Sequence, residues 1–189
     1  HDQSIVGDQA MLFRLAGERM YTEMSKTCHT PEIDRATALH KLMRLLTCAA
    51  GGDGYLNFMG NEFGHPEWVD FPRAGNGDSF QYCRRQWSLV QNPDLKYQSL
   101  ASFDRAMLHL ARQWDWFRQW MPDLKLVSRD QQVLAFERGN LIFVFNFSPT
   151  HSYPNALIPV SRGEDHVLLL STDVETFGGQ GRIAPIPYP

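Results

Sequence analysis

The hydrophobic repeat changes period partway along the chain, and that change limits the architecture more than any single motif does. Before Met121-Pro122 apolar residues recur at helical spacing; beyond it they come in short strand-like blocks, and no helical period returns. Leu39, Leu42, Met43, Leu46, Ala49 and Ala50 fall on one helical face. That helix is opened by Thr30-Pro31, has Glu32 and Asp34 at the positive end of its dipole, and is stopped by Gly51-Gly52. Leu100, Phe103, Met107, Leu110, Trp114 and Phe117 stripe a second helix over residues 96–120. A third helix over residues 9–24 is weakened by Gly17, at about 1 kcal/mol relative to alanine. Residues 55–59 read as a short buried strand, so helix, glycine turn and strand follow one another as in an α/β unit. After Pro122, residues 133–136 and 141–147 flank a turn and spell a hairpin, and residues 167–170 read as another strand. The expected architecture is α/β over residues 1–122, then all-β over 123–189.

Composition removes several classes of function. A chain 43% hydrophobic and 12% aromatic has the means to bury a core, which disordered chains lack. With 18 basic against 21 acidic residues and no basic run, nucleic acid is not the expected partner. No stretch of roughly 18 apolar residues is present to span a bilayer. The 189 residues are too few for a complete (β/α)₈ barrel, which takes about 250. Cys28, Cys48 and Cys83 are odd in number and widely spaced, as free thiols in a reducing compartment would be. Neither a metal nor a cofactor is expected. The opening His1-Asp2-Gln3 and the closing Pro187-Tyr188-Pro189 both look cut, so the chain is expected to be part of a longer one.

Three clusters could carry chemistry. Glu62, His65, Glu67, Trp68 and Asp70 follow directly on the expected strand, where α/β folds present their ligand loops. Carboxylates accept sugar hydroxyls, and an indole offers a flat apolar face to a pyranose ring. The same loop is equally consistent with Trp68 and Phe71 merely pinning it to the scaffold. Glu62 and His65 lack metal-pair spacing and a third ligand. His1-Asp2 is a bare pair with little meaning by itself. The glycines of residues 173–181 do not follow a strand and open a helix, so a turn is the better reading there than a phosphate cradle.

The string Gly54-Tyr55-Leu56-Asn57-Phe58-Met59-Gly60-Asn61-Glu62-Phe63-Gly64-His65-Pro66-Glu67-Trp68 resembles the strand-eight signature of 1,4-α-glucan branching enzymes of the α-amylase superfamily. The likeness is nearest the eukaryotic type. It extends to His1-Asp2-Gln3, Ile33-Asp34-Arg35, Asp70-Phe71-Pro72-Arg73, Arg84-Arg85-Gln86, Ala135-Phe136-Glu137-Arg138 and Phe177-Gly178-Gly179. Arg14-Leu15 departs from the usual aromatic-Leu pair.

The resemblance implies the final part of a (β/α)₈ barrel over residues 1–122 and a partial C-terminal β-sandwich over 123–189. It also implies a transglycosylase that cuts α-1,4-glucan and passes the chain to a 6-hydroxyl in glycogen or starch synthesis. Asp2 would be the third catalytic carboxylate, stabilising the transition state of a retaining double displacement. His1, Glu62, His65 and Trp68 would bind the glucan. The nucleophile and the general acid would lie upstream of His1, leaving the isolated chain inactive. The expected partners are α-1,4-glucan and the remainder of the parent catalytic domain. The expected location is cytoplasmic, or plastidial for a plant-like parent. Two alternatives stand beside this reading: an α-glucan hydrolase of the same superfamily, and a non-catalytic glucan-binding module.

Overall fold

A computed structural model of the chain describes residues 2–5 and 9–189, the side chains of Asp2 and Gln3 excepted. The helices are α1 (Asp2–Ile5), α2 (Met11–Ala16), α3 (Pro31–Ala50), α4 (Trp87–Gln91) and α5 (Tyr97–Gln113), with short 3₁₀ turns between them. Three strands follow, β1 (Asp123–Ser128), β2 (Val133–Arg138) and β3 (Leu141–Asn146), forming one antiparallel sheet in the order β1-β2-β3. No helix among the described residues is long and apolar enough to cross a membrane.

The chain divides into two compact units. The first takes residues up to Lys41, then 56–105 and 172–182; the second takes 42–55, 106–171 and 183–189. In the first unit Leu12, Met20, Ile33, Phe63, Tyr97 and Leu100 make a buried cluster. The expected helix over residues 9–24 breaks at Gly17, whose φ of 61° is closed to most side chains, and continues as a 3₁₀ turn over Gly17–Tyr21. In the second unit the sheet packs an aromatic face. Trp116 meets Phe143 edge-on at 5.3 Å, and Phe136 stacks between Phe143 and Phe145 at 5.1 and 5.8 Å. The expected hairpin forms with Gly139 at φ 61° in its two-residue loop. β1 joins it with a bulge between Leu124 and Leu126.

Four expectations need correction. Residues 55–59 form no strand: no described strand pairs with them, and a strand satisfies its backbone only in a ladder. Residues 167–170 contribute no strand either; the neighbouring His166 makes a single antiparallel bridge with Tyr188. The helix expected over 96–120 stops at Gln113, because Asp115 turns left-handed with φ 46° before the 3₁₀ turn Trp116–Arg118. Helix α3 spans its expected residues, but of its expected stripe only Ala49 is fully buried; the other buried positions are Ile33, Ala36, Thr37, His40, Lys41, Arg44 and Cys48, while Met43 is 39% exposed. Its buried cation Lys41 is matched by main-chain acceptors: Nζ donates to the carbonyls of Thr172 (2.6 Å) and Phe177 (2.8 Å).

Candidate functional site

The loop from Gly60 to Arg73 is built by turns and polar contacts rather than by a ladder. The carbonyl of Gly60 accepts from the amides of Phe63 (3.2 Å) and His65 (2.9 Å), folding residues 60–65 into a tight curl. Gly60 has φ 93°, and a Cβ there would lie 2.5 Å from the Cβ of His65, so only glycine fits. Gly64 is pressed against Leu12 and Leu100 in the same way. Phe63 is fully buried in the first unit's core and anchors the curl from below.

Glu62 organises this curl. Its Oε2 accepts from Asn57 Nδ2 (2.9 Å) and from the Gly60 amide (2.8 Å), while Oε1 faces Arg85 Nε at 2.7 Å. An ionised carboxylate offers about four lone-pair sites, so one remains for a further donor. His65 is 5% exposed, and its Nδ1 lies 3.1 Å from the carbonyl of Glu67. With Nδ1–H donating there, Nε2 is an acceptor, and it has no partner among the described residues. Burial pushes the imidazole below its ordinary pKa, which keeps it neutral at pH 7. The side-chain oxygen of Asn57 is a second buried acceptor without a partner.

Trp68 stacks on Tyr82 with ring centres 4.6 Å apart and planes 24° apart. The amide of Val69 donates to the carbonyl of Ser4 (2.9 Å), and that of Asp70 to the carbonyl of Tyr82 (3.1 Å). This joins the loop to α1, the short helix that carries Asp2. Ile5 of α1 lines a hollow of about 520 Å³ together with Trp68, Asp70, Phe71, Pro72 and Arg73. Asn76 and Arg73 hydrogen-bond the Asp70 carboxyl and hold it below its usual range. His1 lies outside the described residues, and so does the side chain of Asp2.

The structure thus brings Glu62, His65 and Trp68 into one loop beside the backbone of α1. Asn57, Tyr82 and Arg85 are the site residues that sequence reasoning did not single out. Arg85 lies 23 positions after its partner Glu62 across an aperiodic stretch, so no spacing rule links them. No group of three or more His, Cys, Asp or Glu side chains that could hold a metal occurs among the described residues.

Comparison with known proteins gives these features a context. Residues 126–185 match the family model of the alpha amylase C-terminal all-beta domain. The chain is 50% identical over 184 residues to a 1,4-alpha-glucan-branching enzyme of Rhizophagus irregularis, covering 97% of this chain and 27% of that protein. It is 47% identical over 189 residues to the 1,4-alpha-glucan-branching enzyme of Dictyostelium discoideum, covering 100% and 28%. For that of Solanum tuberosum the identity is 45% over 183 residues, covering 96% and 21%. The chain therefore spans only about a quarter of the length of the curated relatives it matches. Over nearly its whole length this chain is homologous to a segment of the 1,4-alpha-glucan-branching enzymes, and its residues 126–185 match the alpha amylase C-terminal all-beta domain.

Proposed function

We propose that the chain works as part of a 1,4-α-glucan branching enzyme, contributing one catalytic carboxylate and a glucan-facing loop. The buried, unpartnered Nε2 of His65, in a loop hydrogen-bonded to the Asp2 helix, carries the reading. The free lone pair of Glu62 and the stacked Trp68–Tyr82 pair offer a sugar a hydroxyl acceptor and a flat apolar face, while the buried Nε2 of His65 is an acceptor that the rest of the site would have to supply with a donor. His1 and Asp2 complete the site, with Asp2 gripping the ring hydroxyls of a distorted sugar as positive charge develops at its anomeric carbon.

In this reading residues 1–122 are the closing part of a (β/α)₈ barrel and residues 123–189 belong to the C-terminal β domain. The partly open stripe of Leu39, Leu42, Met43 and Leu46 on α3 supports it, since further barrel elements would cover that face. A retaining transfer also needs a nucleophile and a proton donor, and the resemblance assigns neither to a residue of this chain. Cytoplasmic glycogen synthesis, or starch synthesis in a plastid, is the setting proposed.

The test is Asp2→Ala in the full-length protein, followed by the iodine absorbance of amylose. Turnover is expected to fall by about 10³-fold or more, since a carboxylate acting only in the transition state is lost, with glucan binding retained. Near-normal turnover would overturn the role of Asp2. Release of reducing ends without new α-1,6 linkages would favour a hydrolase.

A further inference from the structure

The 3₁₀ turn Gly17–Tyr21 leads into residues 24–26, which run beside residues 94–96 just before α5. The Lys26 amide donates to the carbonyl of Asp94 (2.7 Å), the Lys96 amide to that of Met24 (2.8 Å), and the Lys96 ammonium to that of Ser25 (2.7 Å). These contacts set one wall of a second hollow, of about 300 Å³, which Pro66 and Glu67 of the candidate loop also line. It lies wholly within the first compact unit and shares no lining residue with the hollow beside α1. Glu67 and Trp68, neighbours in the chain, line one hollow each.

Met20, Met24, Leu89 and Leu95 give the second hollow an apolar lining, to which Tyr21, Glu67 and Gln86 add polar groups. The side chains of these three make no hydrogen bond or ion pair among the described residues, whereas the phenol of Tyr97 donates to the Met20 carbonyl (3.3 Å). Burial, and after it the Glu67 carboxylate, push the Tyr21 phenol above its ordinary pKa, so it is a protonated donor at pH 7. An apolar lining with a few convergent polar groups is the form small-molecule sites take, and the volume falls at the lower end of their roughly 300–1,000 Å³. No basic side chain among the described residues lines the hollow to hold an anion. Phenol, carboxylate and primary amide together suit the hydroxyls of a neutral sugar, and the ring of Tyr21 suits the apolar face of a pyranose.

We propose that this hollow takes one further glucosyl unit of the same α-glucan, away from the reacting bond, an assignment that rests on the function proposed above. Glu67 joins the two places: its carbonyl lies 3.1 Å from His65 Nδ1, and its carboxylate is close enough to Tyr21 to act on the phenol. Tyr82, whose ring stacks on Trp68, acts on the same phenol. A glucan leaving the Trp68–Tyr82 face therefore passes toward Tyr21. The walls are set by main-chain contacts before any sugar arrives, so little ordering has to accompany binding.

The experiment measures maltoheptaose binding to the full-length protein by calorimetry, unsubstituted and as Tyr21→Ala and Gln86→Ala, with amylose branching followed alongside. Tyr21 is 53% exposed, so its truncation leaves the core intact. Tyr21→Ala is expected to weaken binding about tenfold and to raise KM by a similar factor with little loss of kcat, the mark of binding lost equally from ground and transition states. Gln86→Ala is expected to act in the same direction and less strongly. Maltoheptaose should also slow amide exchange in residues 20–25 and 86–95 of the unsubstituted protein, a readout that needs no variant. Absence of that slowing would overturn the subsite. So would a fall in kcat at constant KM, which would place Tyr21 at the reacting bond. If the unsubstituted protein binds no maltoheptaose, the function proposed above falls as well; binding that both substitutions leave at full strength removes the subsite alone.

Discussion

The β1–β3 sheet and the Asn57–Arg73 loop are both ordered, but by opposite means. The sheet is ordered by its backbone ladder and by a face of Phe136, Phe143, Phe145 and Trp116. The loop has no ladder; it is held by the buried Phe63, His65 and Val69, by turn hydrogen bonds such as those to the Gly60 carbonyl, and by side-chain groups that bind main-chain atoms, Glu62 to the Gly60 amide and His65 to the Glu67 carbonyl. The lesson is that apolar burial makes the sheet robust and indifferent to detail, while the loop depends on a few directional contacts that leave buried acceptors unpaired on His65 and Asn57.

The largest expected effect tests the sheet. Phe143→Ala should destabilise the chain by about 3–5 kcal/mol in urea unfolding, the usual result of emptying a packed aromatic site. A loss under about 1 kcal/mol would break the contrast, since the ladder alone would then hold the sheet. Gly60→Ala tests the loop, where a methyl would collide with His65 at an already left-handed φ. It should cost about 1–3 kcal/mol in the same assay and move the His65 ring signals. Unchanged His65 signals would mean that the curl does not depend on this close approach.

A smaller effect concerns Lys41, which burial pushes down to about 8 despite the attraction of Asp173. Between that value and its ordinary 10.5 the unfolded chain binds more protons than the folded one, so stability should rise with pH across this window. The slope attributable to Lys41 should reach at most about 1 kcal/mol per pH unit and vanish in Lys41→Met. A slope of the opposite sign would show that the two carbonyl contacts outweigh desolvation. Smallest is Tyr82→Leu, which removes the stacked partner of Trp68 and should cost about 0.5–1.5 kcal/mol. Equal stability of this variant would show that Trp68 is held by its backbone alone.

The hairpin was legible because residues 133–146 carry their own period and turn glycine, and both signals act within a few positions. The cluster Glu62, His65 and Trp68 was legible as a loop for a similar reason, being contiguous. What escaped depends on partners distant in sequence. Residues 55–59 have the composition of a strand, but composition supplies no neighbour to pair with. On α3 the leucine and methionine stripe pointed to one face, whereas the buried face contains Lys41, whose acceptors are carbonyls of residues 172 and 177. Carbonyls belong to every residue and leave no mark in a sequence.

That property has a genetic consequence. Lys41, Lys96 and Arg138 are each buried against main-chain oxygens, with Lys96 donating to the carbonyls of Ser25 and Cys28. Side-chain substitution can delete the cation from such a contact but can never delete the oxygen. A mutational scan should therefore find sensitive positions at these three sites that charge reversal elsewhere only partly restores, through Asp34 at 3.9 Å for Lys96 and Asp173 for Lys41. Covariation between homologues would pass over these contacts in silence, although they are among the most deeply buried polar interactions of the chain.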